Sequence, residues 1–185
     1  TREPQKIHDL TFCVIGAGPT GIEFASELRD FIEQDGPKYY PKLLQYVRIK
    51  VIEASPTILA PFDKSLQQEA ISRMERHVEI KDPVVRDLLP EKFVLTELLL
   101  ESSVKEVGQD TIQLIDGRQI PYGLAVWAAG NGPIPLTLSF VEILPEQKEQ
   151  QSIARGRLAI DPWMRVMGGN GKMLASGDCT CIIQS

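Results

Sequence analysis

Residues 10–21 read LTFCVIGAGPTG, and this stretch decides the fold. The apolar run over residues 10–15 is typical of a short strand buried in a parallel sheet. Three glycines follow it with the spacing G-x-G-x-x-G, and apolar residues then recur at helical spacing, namely Ile22, Ala25, Leu28 and Ile32. The pattern predicts a strand, a Gly-rich turn and a helix over residues 19–33, which together open an α/β domain with a mostly parallel sheet.

Each glycine of the motif has a physical reason in a dinucleotide-binding turn. Gly16 permits the tight turn, Gly18 leaves room for a pyrophosphate near the backbone, and Gly21 lets helix and strand pack closely. Thr20 lies in the first helical turn, where unpaired N–H groups and the helix dipole favour an anion. We therefore expect Gly16, Gly18, Thr20 and Gly21 to bind a cofactor, the alternative being a Gly-rich turn that binds no ligand.

An acidic residue ends the second predicted strand, residues 47–53. The Glu53 carboxylate can accept a hydrogen bond from an adenosine ribose 2′-OH and would repel a 2′-phosphate. Since no arginine follows within residues 54–56, the sequence predicts NADH rather than NADPH. Glu53 lies farther from Gly21 in the sequence than the roughly 20 residues of a compact unit, and residues 35–46 account for the excess. The alternative is a surface glutamate at a strand end.

The middle of the chain predicts a helix and a β-rich appendage. A Ser65–Gln68 capping box opens a helix over residues 65–77, whereas residues 78–91, with two prolines, receive no assignment. An antiparallel meander with a turn at Asp116–Gly117 is expected from three short segments, residues 93–96, 101–107 and 111–115. Residues 124–128 then predict another buried strand, which leads into a turn over residues 130–133.

The last third predicts short strands at residues 158–160, 164–166 and 173–176. Gly177 and Asp178 follow the last of these, and a carboxylate beyond a strand end is a common ligand position in α/β sheets. An ordinary turn explains the same pair equally well. Glu23, expected in the first turn of the helix, is likewise either a solvated acid near the positive helix end or a functional group.

Composition excludes several classes of protein. The 185 residues carry a net charge of −5, with no basic patch for nucleic acid and no apolar run near the ~20 residues of a membrane-spanning helix. Three cysteines argue against a disulfide framework and for a reducing compartment. The Cys179 and Cys181 pair, with two distant histidines, provides too few ligands for a typical structural zinc site, and we assign it no redox role.

Five collinear segments together resemble the type II NADH:quinone oxidoreductases, the non-proton-pumping alternative NADH dehydrogenases. They are GAGPTGIEFASEL, VIEASPTILAPFDKSL, IPYGLAVWAAGNGPIP, LAIDPWMRV and ASGDCT. The resemblance implies a flavoprotein in which hydride passes from NADH to FAD and electrons pass on to quinone. It further implies a peripheral position on the mitochondrial inner membrane, with another organelle left open.

The resemblance also implies roles for individual residues. The motif glycines hold the NADH pyrophosphate, and Glu53 holds the adenosine ribose. Glu23, Ala129 and Gly130 lie near the nicotinamide, and Asp178, which follows Gly177, bonds the ribityl chain of the flavin. No side chain is expected to act as a catalytic acid or base, and no metal is expected.

The chain departs from this family at both ends. No earlier G-x-G-x-x-G precedes residue 9, and the chain stops before the family's quinone-site helix and membrane-binding region. We therefore expect an internal piece, with an NAD(H)-binding Rossmann-like domain at residues 7–132 and a partial FAD-binding segment at residues 133–185. Contact with the membrane would use missing parts, and a homodimer is left open. The alternatives are a disulfide reductase, a sulfide:quinone type enzyme or a non-catalytic NADH-binding module.

Overall fold

The structure is a computed structural model that describes residues 3–91, 93–130 and 132–183. In chain order the strands β1 to β9 are Thr11–Ile15, Arg48–Ile52, Thr96–Leu99, Val104–Val107, Thr111–Leu114, Gln119–Pro121, Leu124–Trp127, Leu158–Ile160 and Thr180–Ile182. The helices α1 to α8 are Glu3–Asp9, Pro19–Gln34, Gly36–Tyr39, Lys64–Glu75, Pro83–Arg86, Pro135–Ile143, Pro145–Glu149 and Gln151–Ala154, with a 3₁₀ turn at Leu44–Tyr46. The chain divides after Gly130 into two compact units.

A four-stranded parallel sheet forms the centre of the first unit, in the order β3-β2-β1-β7. This arrangement confirms the α/β fold expected from the first strand and helix. The last residue of β1, Ile15, is in register with Ile52 of β2 and Trp127 of β7. The carboxyl ends of three strands therefore meet at one edge, and the loops that leave them are neighbours.

Both faces of this sheet are covered, as a parallel sheet requires. Helix α2 packs on one face through Ile22, Ala25 and Ile32, in the same cluster as Val14 and Val51. The opposite face buries Cys13, Ile15 and Ile52 against apolar side chains from the antiparallel strands, Ile112, Leu114 and Ile120. The alternation of side chains along β1 thus divides the apolar residues between two cores.

The β appendage is a three-stranded antiparallel meander, β4-β5-β6, and its turn contains Asp116 and Gly117 as predicted. The meander contains a different first strand and a different last strand from those predicted. Residues 93–96 were expected to open the meander, but β3 (Thr96–Leu99) joins the parallel sheet beside β2. Leu95 and Thr96 are buried there, so tertiary burial rather than local pattern decides the partner. Strand β6 was not predicted.

One further local prediction needs correction, and one region that received no assignment contains a helix. Asp63, not Ser65, caps helix α4, because its carboxylate accepts hydrogen bonds from the N–H groups of Ser65 and Leu66 at 3.0 and 3.1 Å. The region 78–91 contains the short helix α5, which Asp82 caps in the same way. Both caps use an acid two residues before the first donor, a local pattern that the sequence analysis missed.

The second unit is built around the parallel pair β8-β9 and helices α6 to α8, which were not predicted. Gln147 is fully buried and joins these parts, since its side-chain amide bonds the backbone of Ala159 twice and the carbonyl of Met167 once. The strands expected at residues 164–166 and 173–176 are reduced to isolated bridges, because the Gly-rich turn between them allows little pairing.

No helix in the part of the chain that the structure describes is long and apolar enough to cross a bilayer.

A buried arginine on α2 ties three elements together. Arg29 donates from Nη1 to the Met74 carbonyl at 2.9 Å and to Thr96 Oγ1 at 3.1 Å, and from Nη2 to the Arg76 carbonyl at 2.6 Å. Its Nη2 also lies 2.8 Å from Glu33 Oε1, and both side chains are at least 92% buried, their exposed fractions being 3% and 8%. The guanidinium thereby closes the carboxyl end of α4 onto α2 and β3.

We expect Arg29→Met to lower the free energy of unfolding by about 3 kcal/mol. The change removes the donors to the Met74 and Arg76 carbonyls and leaves Oε1 of the buried Glu33 without its cation, although Oε2 of Glu33 keeps its bond from Arg76 Nη2 at 2.7 Å. Urea denaturation measures the effect. Arg73→Met is the matched control. Arg73 is exposed on α4 and forms a surface ion pair with the exposed Glu69, so the expected loss is about 0.5 kcal/mol or less. Equal losses in the two variants would contradict this assignment.

Candidate functional site

The loop that leaves β1 turns at Gly16, in a conformation that favours glycine. Its φ is +101°, and its N–H donates to the Ile52 carbonyl of β2 at 2.8 Å. A Cβ at this position would lie 2.7 Å from the backbone Cα and N of Ala129, which follows β7. Gly16 therefore brings the ends of three strands together, and a larger residue would force them apart.

The other two motif glycines have opposite surroundings. A Cβ on the buried Gly21 would overlap the carbonyl oxygen of Gly16, so helix α2 can begin this close to β1 only with glycine there. A Cβ on Gly18 would meet no atom within 4 Å. Gly18 is the N-cap of α2 and has no side-chain cap, and the exposed Thr20 follows in the first turn. The helix N-terminus thus faces open space.

The backbone of Ala17, between the first two glycines, is held from both sides. Its N–H donates to Glu53 Oε2 at 2.7 Å, and its carbonyl accepts from the N–H of Leu59 at 2.8 Å. Leu59 has a φ of +51°, which is uncommon for a residue with a side chain. The Gly-rich loop is therefore fixed in position before any ligand binds.

Glu53 lies directly after β2 and is half-buried. Besides Ala17, it accepts two hydrogen bonds at Oε1, from Ser55 Oγ at 2.5 Å and Ser55 N–H at 2.8 Å. Burial by itself disfavours the charged carboxylate, but the hydrogen bonds from Ser55 and Ala17, with a smaller contribution from the Ala54 backbone, outweigh it and lower the pKa of Glu53 below its ordinary value of 4.5. The carboxylate is accordingly ionised at neutral pH.

This arrangement limits what Glu53 can bind. A carboxylate has about four lone-pair sites, and three hydrogen bonds occupy most of them. The remaining capacity lies on Oε2, which carries one bond rather than two. An anion with one such free position suits a hydroxyl donor and repels a phosphate. A diphosphate at Gly18 and a sugar hydroxyl at Glu53 would fit the same loop.

Ala129 and Gly130 are brought to this site by β7. Both are exposed, and the Ala129 backbone lies against Gly16. The indole N–H of Trp127 donates to the Ala129 carbonyl at 3.2 Å, and Gly130 has a φ of +53°. The predicted turn over residues 130–133 includes Asn131, which lies outside the described residues.

Glu23 is exposed on α2, but it does not lie in the first turn as expected. The helix begins at Pro19, so Glu23 is its fifth residue. Its distance from the helix end reduces the electrostatic interaction with the N-terminal dipole, which is confined to the first turn. Whether Glu23 binds a cofactor stays a prediction.

Gly177 and Asp178 belong to the second unit, and both are exposed. They do not follow a strand as expected but precede β9. Gly177 turns the chain with a φ of +91°, and its carbonyl accepts from the N–H and Oγ1 of Thr180 at 3.0 and 2.7 Å. Their roles in binding also stay predictions.

The cysteines differ in their surroundings. Cys13 is fully buried in β1, and burial raises the pKa of its thiol to about 11, which is typical of an inert core residue. Cys179 is exposed and Cys181 is half-buried.

Sequence reasoning identified the glycines and Glu53 but missed the residues that hold them. Ser55 stands two positions after the acid, a spacing that allows its hydroxyl and N–H to bond the same carboxylate, and this local signal was available. Leu59 contacts Ala17 through a backbone hydrogen bond, so the identity of its side chain gives no signal of this role in the sequence.

With this geometry established, comparison with known proteins identifies the family. The family model for pyridine nucleotide-disulphide oxidoreductase matches residues 2–185.

The chain belongs to the pyridine nucleotide-disulphide oxidoreductase family.

Within this family, the chain is similar in sequence to a group of ubiquinone oxidoreductases. The chain is 35% identical over 182 residues to the external NADH-ubiquinone oxidoreductase 2, mitochondrial, of Saccharomyces cerevisiae, covering 96% of this chain and 29% of that protein. It is 35% identical over 183 residues to an internal alternative NAD(P)H-ubiquinone oxidoreductase A1, mitochondrial, of Solanum tuberosum, covering 99% and 31%. These relatives confirm the resemblance inferred from the sequence. The chain spans less than a third of their length.

Solved structures share the fold. The NDH2 protein of Plasmodium falciparum in complex with NADH superposes with a TM-score of 0.73 at 24% identity, covering 98% of this chain and 34% of that one. The ferredoxin reductase of the CYP199A2 system of Rhodopseudomonas palustris gives a TM-score of 0.58 at 18% identity, covering 96% and 35%. Both confirm the Rossmann-like α/β architecture.

Gly18 and Gly21 form a matched pair of positions for mutation. Gly21→Ala should lower the free energy of unfolding by about 3 kcal/mol, because its methyl group overlaps the Gly16 carbonyl. Gly18→Ala should change it by no more than about 1 kcal/mol, since its methyl group meets open space. Chemical denaturation of both variants checks the difference. A Gly18 variant as unstable as the Gly21 variant would refute the geometry.

The lowered pKa of Glu53 gives a pH-dependent contribution to stability. A carboxyl group with a depressed pKa stabilises the folded state above its unfolded pKa, and this contribution disappears as the pH falls through the folded pKa. Wild-type protein should therefore lose more stability than Glu53→Gln between pH 7 and pH 3, the main loss lying below about 4.5. Urea denaturation at a series of pH values measures the gap. Parallel curves would count against the prediction.

Proposed function

We propose that the chain is part of a flavoprotein that transfers hydride from NADH to FAD and passes the electrons to a quinone without pumping protons. The observation that carries this proposal is the open position at Gly18, where the uncapped start of α2 and the ionised Glu53 face one loop. The names of the relatives support the proposal, because they are NADH- and NAD(P)H-ubiquinone oxidoreductases.

The first unit is proposed to bind the nucleotide within residues 7–132. Gly16, Gly18, Thr20 and Gly21 take the pyrophosphate, whose negative charge suits the helix N-terminus. Glu53 takes the adenosine ribose through Oε2. Since this carboxylate would repel a 2′-phosphate, the nucleotide is NADH in preference to NADPH.

The nicotinamide end is proposed to lie toward Glu23, Ala129 and Gly130. The Ala129 backbone lies against Gly16, a Cβ on Gly130 would meet no atom within 4 Å, and the indole N–H of Trp127 donates to the Ala129 carbonyl. These groups are proposed to orient the ring. No side chain is assigned a proton transfer, because the two cofactors carry the redox chemistry once bound and the protein positions them.

Residues 133–185 are proposed to belong to an FAD-binding domain, with Gly177 and Asp178 as flavin contacts. The exposed Asp178 carboxylate can accept hydrogen bonds from hydroxyl groups of a ribityl chain. The family to which the chain belongs supports this assignment.

The proposed cellular setting is the surface of the mitochondrial inner membrane, with quinone as the partner. The names of the two relatives described above include the word mitochondrial, which supports this setting. Contact with the membrane would use parts of a longer protein, and a homodimer is compatible with the proposal. No nucleic-acid role is proposed.

The function is tested on the full-length protein. It should purify yellow with flavin and oxidise NADH when a soluble quinone is added. Turnover with a disulfide instead of quinone would identify a disulfide reductase, and electron donation by sulfide would identify a sulfide:quinone enzyme. Nucleotide binding without bound flavin and without turnover would indicate a non-catalytic NADH-binding module. Each of these three outcomes overturns the proposal.

Glu53→Gln should lower the NADH-to-NADPH ratio of kcat/KM by about tenfold, because a charged hydrogen-bond acceptor and the repulsion of a 2′-phosphate are both lost. Steady-state kinetics with each nucleotide measure the ratio. Glu75→Gln is the matched control, since Glu75 is exposed at the end of α4 and far along the chain from the loop. An unchanged ratio in the Glu53 variant would remove Glu53 from the site.

A further inference from the structure

We propose that Ser55 is a specificity-determining positioning residue, which holds the Glu53 carboxylate in the orientation that selects NADH over NADPH. The inference rests on the proposed function, since it concerns how that site recognises the nucleotide. Ser55 itself is not assigned a contact with the ligand. Its role is to decide where the two oxygens of Glu53 point.

The hydrogen bonds around Glu53 are divided unequally between its oxygens. Ser55 donates twice to Oε1, through Oγ at 2.5 Å and through N–H at 2.8 Å, whereas Ala17 donates once to Oε2 at 2.7 Å. Two donors from one residue fix both the position and the rotation of the carboxylate plane. The oxygen with remaining capacity is consequently the one beside the Gly-rich loop.

The hydroxyl of Ser55 has a second acceptor within reach, the Thr57 carbonyl at 3.2 Å. A hydroxyl has one proton to donate, and a hydrogen bond to an ionised carboxylate is shorter and stronger than one to a neutral carbonyl. The shorter distance to Glu53 agrees with this preference. The Ser55 hydroxyl therefore donates to the Glu53 carboxylate in preference to the Thr57 carbonyl.

The backbone at Ser55 is held independently of this hydroxyl. The Ser55 carbonyl accepts from the Glu101 N–H at 3.1 Å, and the Glu53 carbonyl accepts from the Ser102 N–H at 2.8 Å. These two bonds tie the segment after β2 to the segment after β3. Removing the hydroxyl should leave the course of the chain unchanged while loosening the carboxylate.

The consequence for ligands follows from the broad torsion that ends a glutamate side chain. With one donor fewer on Oε1, the carboxylate samples other rotations, and Oε2 spends less time beside the ribose position. NADH loses a well-placed acceptor. NADPH loses little, because its 2′-phosphate gains no bond from the carboxylate in any orientation.

A double-mutant cycle in the intact full-length protein tests the inference. The variants are Ser55→Ala, Ser55→Thr, Glu53→Gln and the double variant Ser55→Ala/Glu53→Gln, with dissociation constants for NADH and NADPH measured by fluorescence titration. Ser139→Ala is the matched control, because the exposed Ser139 hydroxyl donates to the Pro135 carbonyl within its own helix, α6. Urea denaturation of each variant checks that the fold is retained.

Ser55→Ala should weaken NADH binding about 3- to 10-fold and NADPH binding by less than about 2-fold, the loss of one hydrogen bond to a charged group. KM for NADH should rise with kcat unchanged, as expected for a binding interaction. Ser55→Thr should restore binding to within about 2-fold because it keeps the hydroxyl. In the Glu53→Gln background, Ser55→Ala should add no more than about 2-fold, because the two residues act as one unit.

Two results would overturn the inference while leaving the proposed function intact. One is a Ser55→Ala effect that persists undiminished beside Glu53→Gln. The other is equal weakening of NADH and NADPH, which indicates a general disturbance of the loop. If Glu53→Gln itself leaves the preference unchanged, the nucleotide assignment fails first, and the role of Ser55 falls with it.

Discussion

The contact between the start of α2 and the end of β1 is the constraint on which the first unit depends. Because Gly21 has no side chain, the helix begins directly against the Gly16 carbonyl. This approach lets Ile22 and Ala25 reach the core and turns the unpaired N–H groups of α2 toward the open position at Gly18. The packing of α2 and the proposed diphosphate site thus both depend on the absence of a side chain at Gly21.

Glu53 connects that contact to the second strand. Its carboxylate bonds the Ala17 N–H, so the group proposed to recognise the ribose also holds the loop proposed to take the diphosphate. Such sharing makes the site rigid in advance of binding, which reduces the ordering cost that a ligand must offset. Leu59 completes the arrangement from the opposite side through the Ala17 carbonyl.

The meander explains how a small parallel sheet is buried on both faces. Ile112, Leu114 and Ile120 cover the face that α2 does not reach. In this sequence β3 and β4 follow each other closely, so their short apolar segments look alike, yet β3 pairs with β2 and β4 pairs with β5. Local patterning cannot separate them, because strand partners are chosen by long-range burial.

The sequence by itself determined β1, the Gly-rich turn, α2, the Asp116–Gly117 turn and the acid after β2. These depend on periodicity, on backbone freedom at glycine and on the order of neighbouring residues, all of which are local. Only the tertiary structure decided the partner of β3, the buried position of Arg29 and the hold of Leu59 on the loop. Those depend on groups that are distant in the chain, and they exist only once the helices and strands have packed.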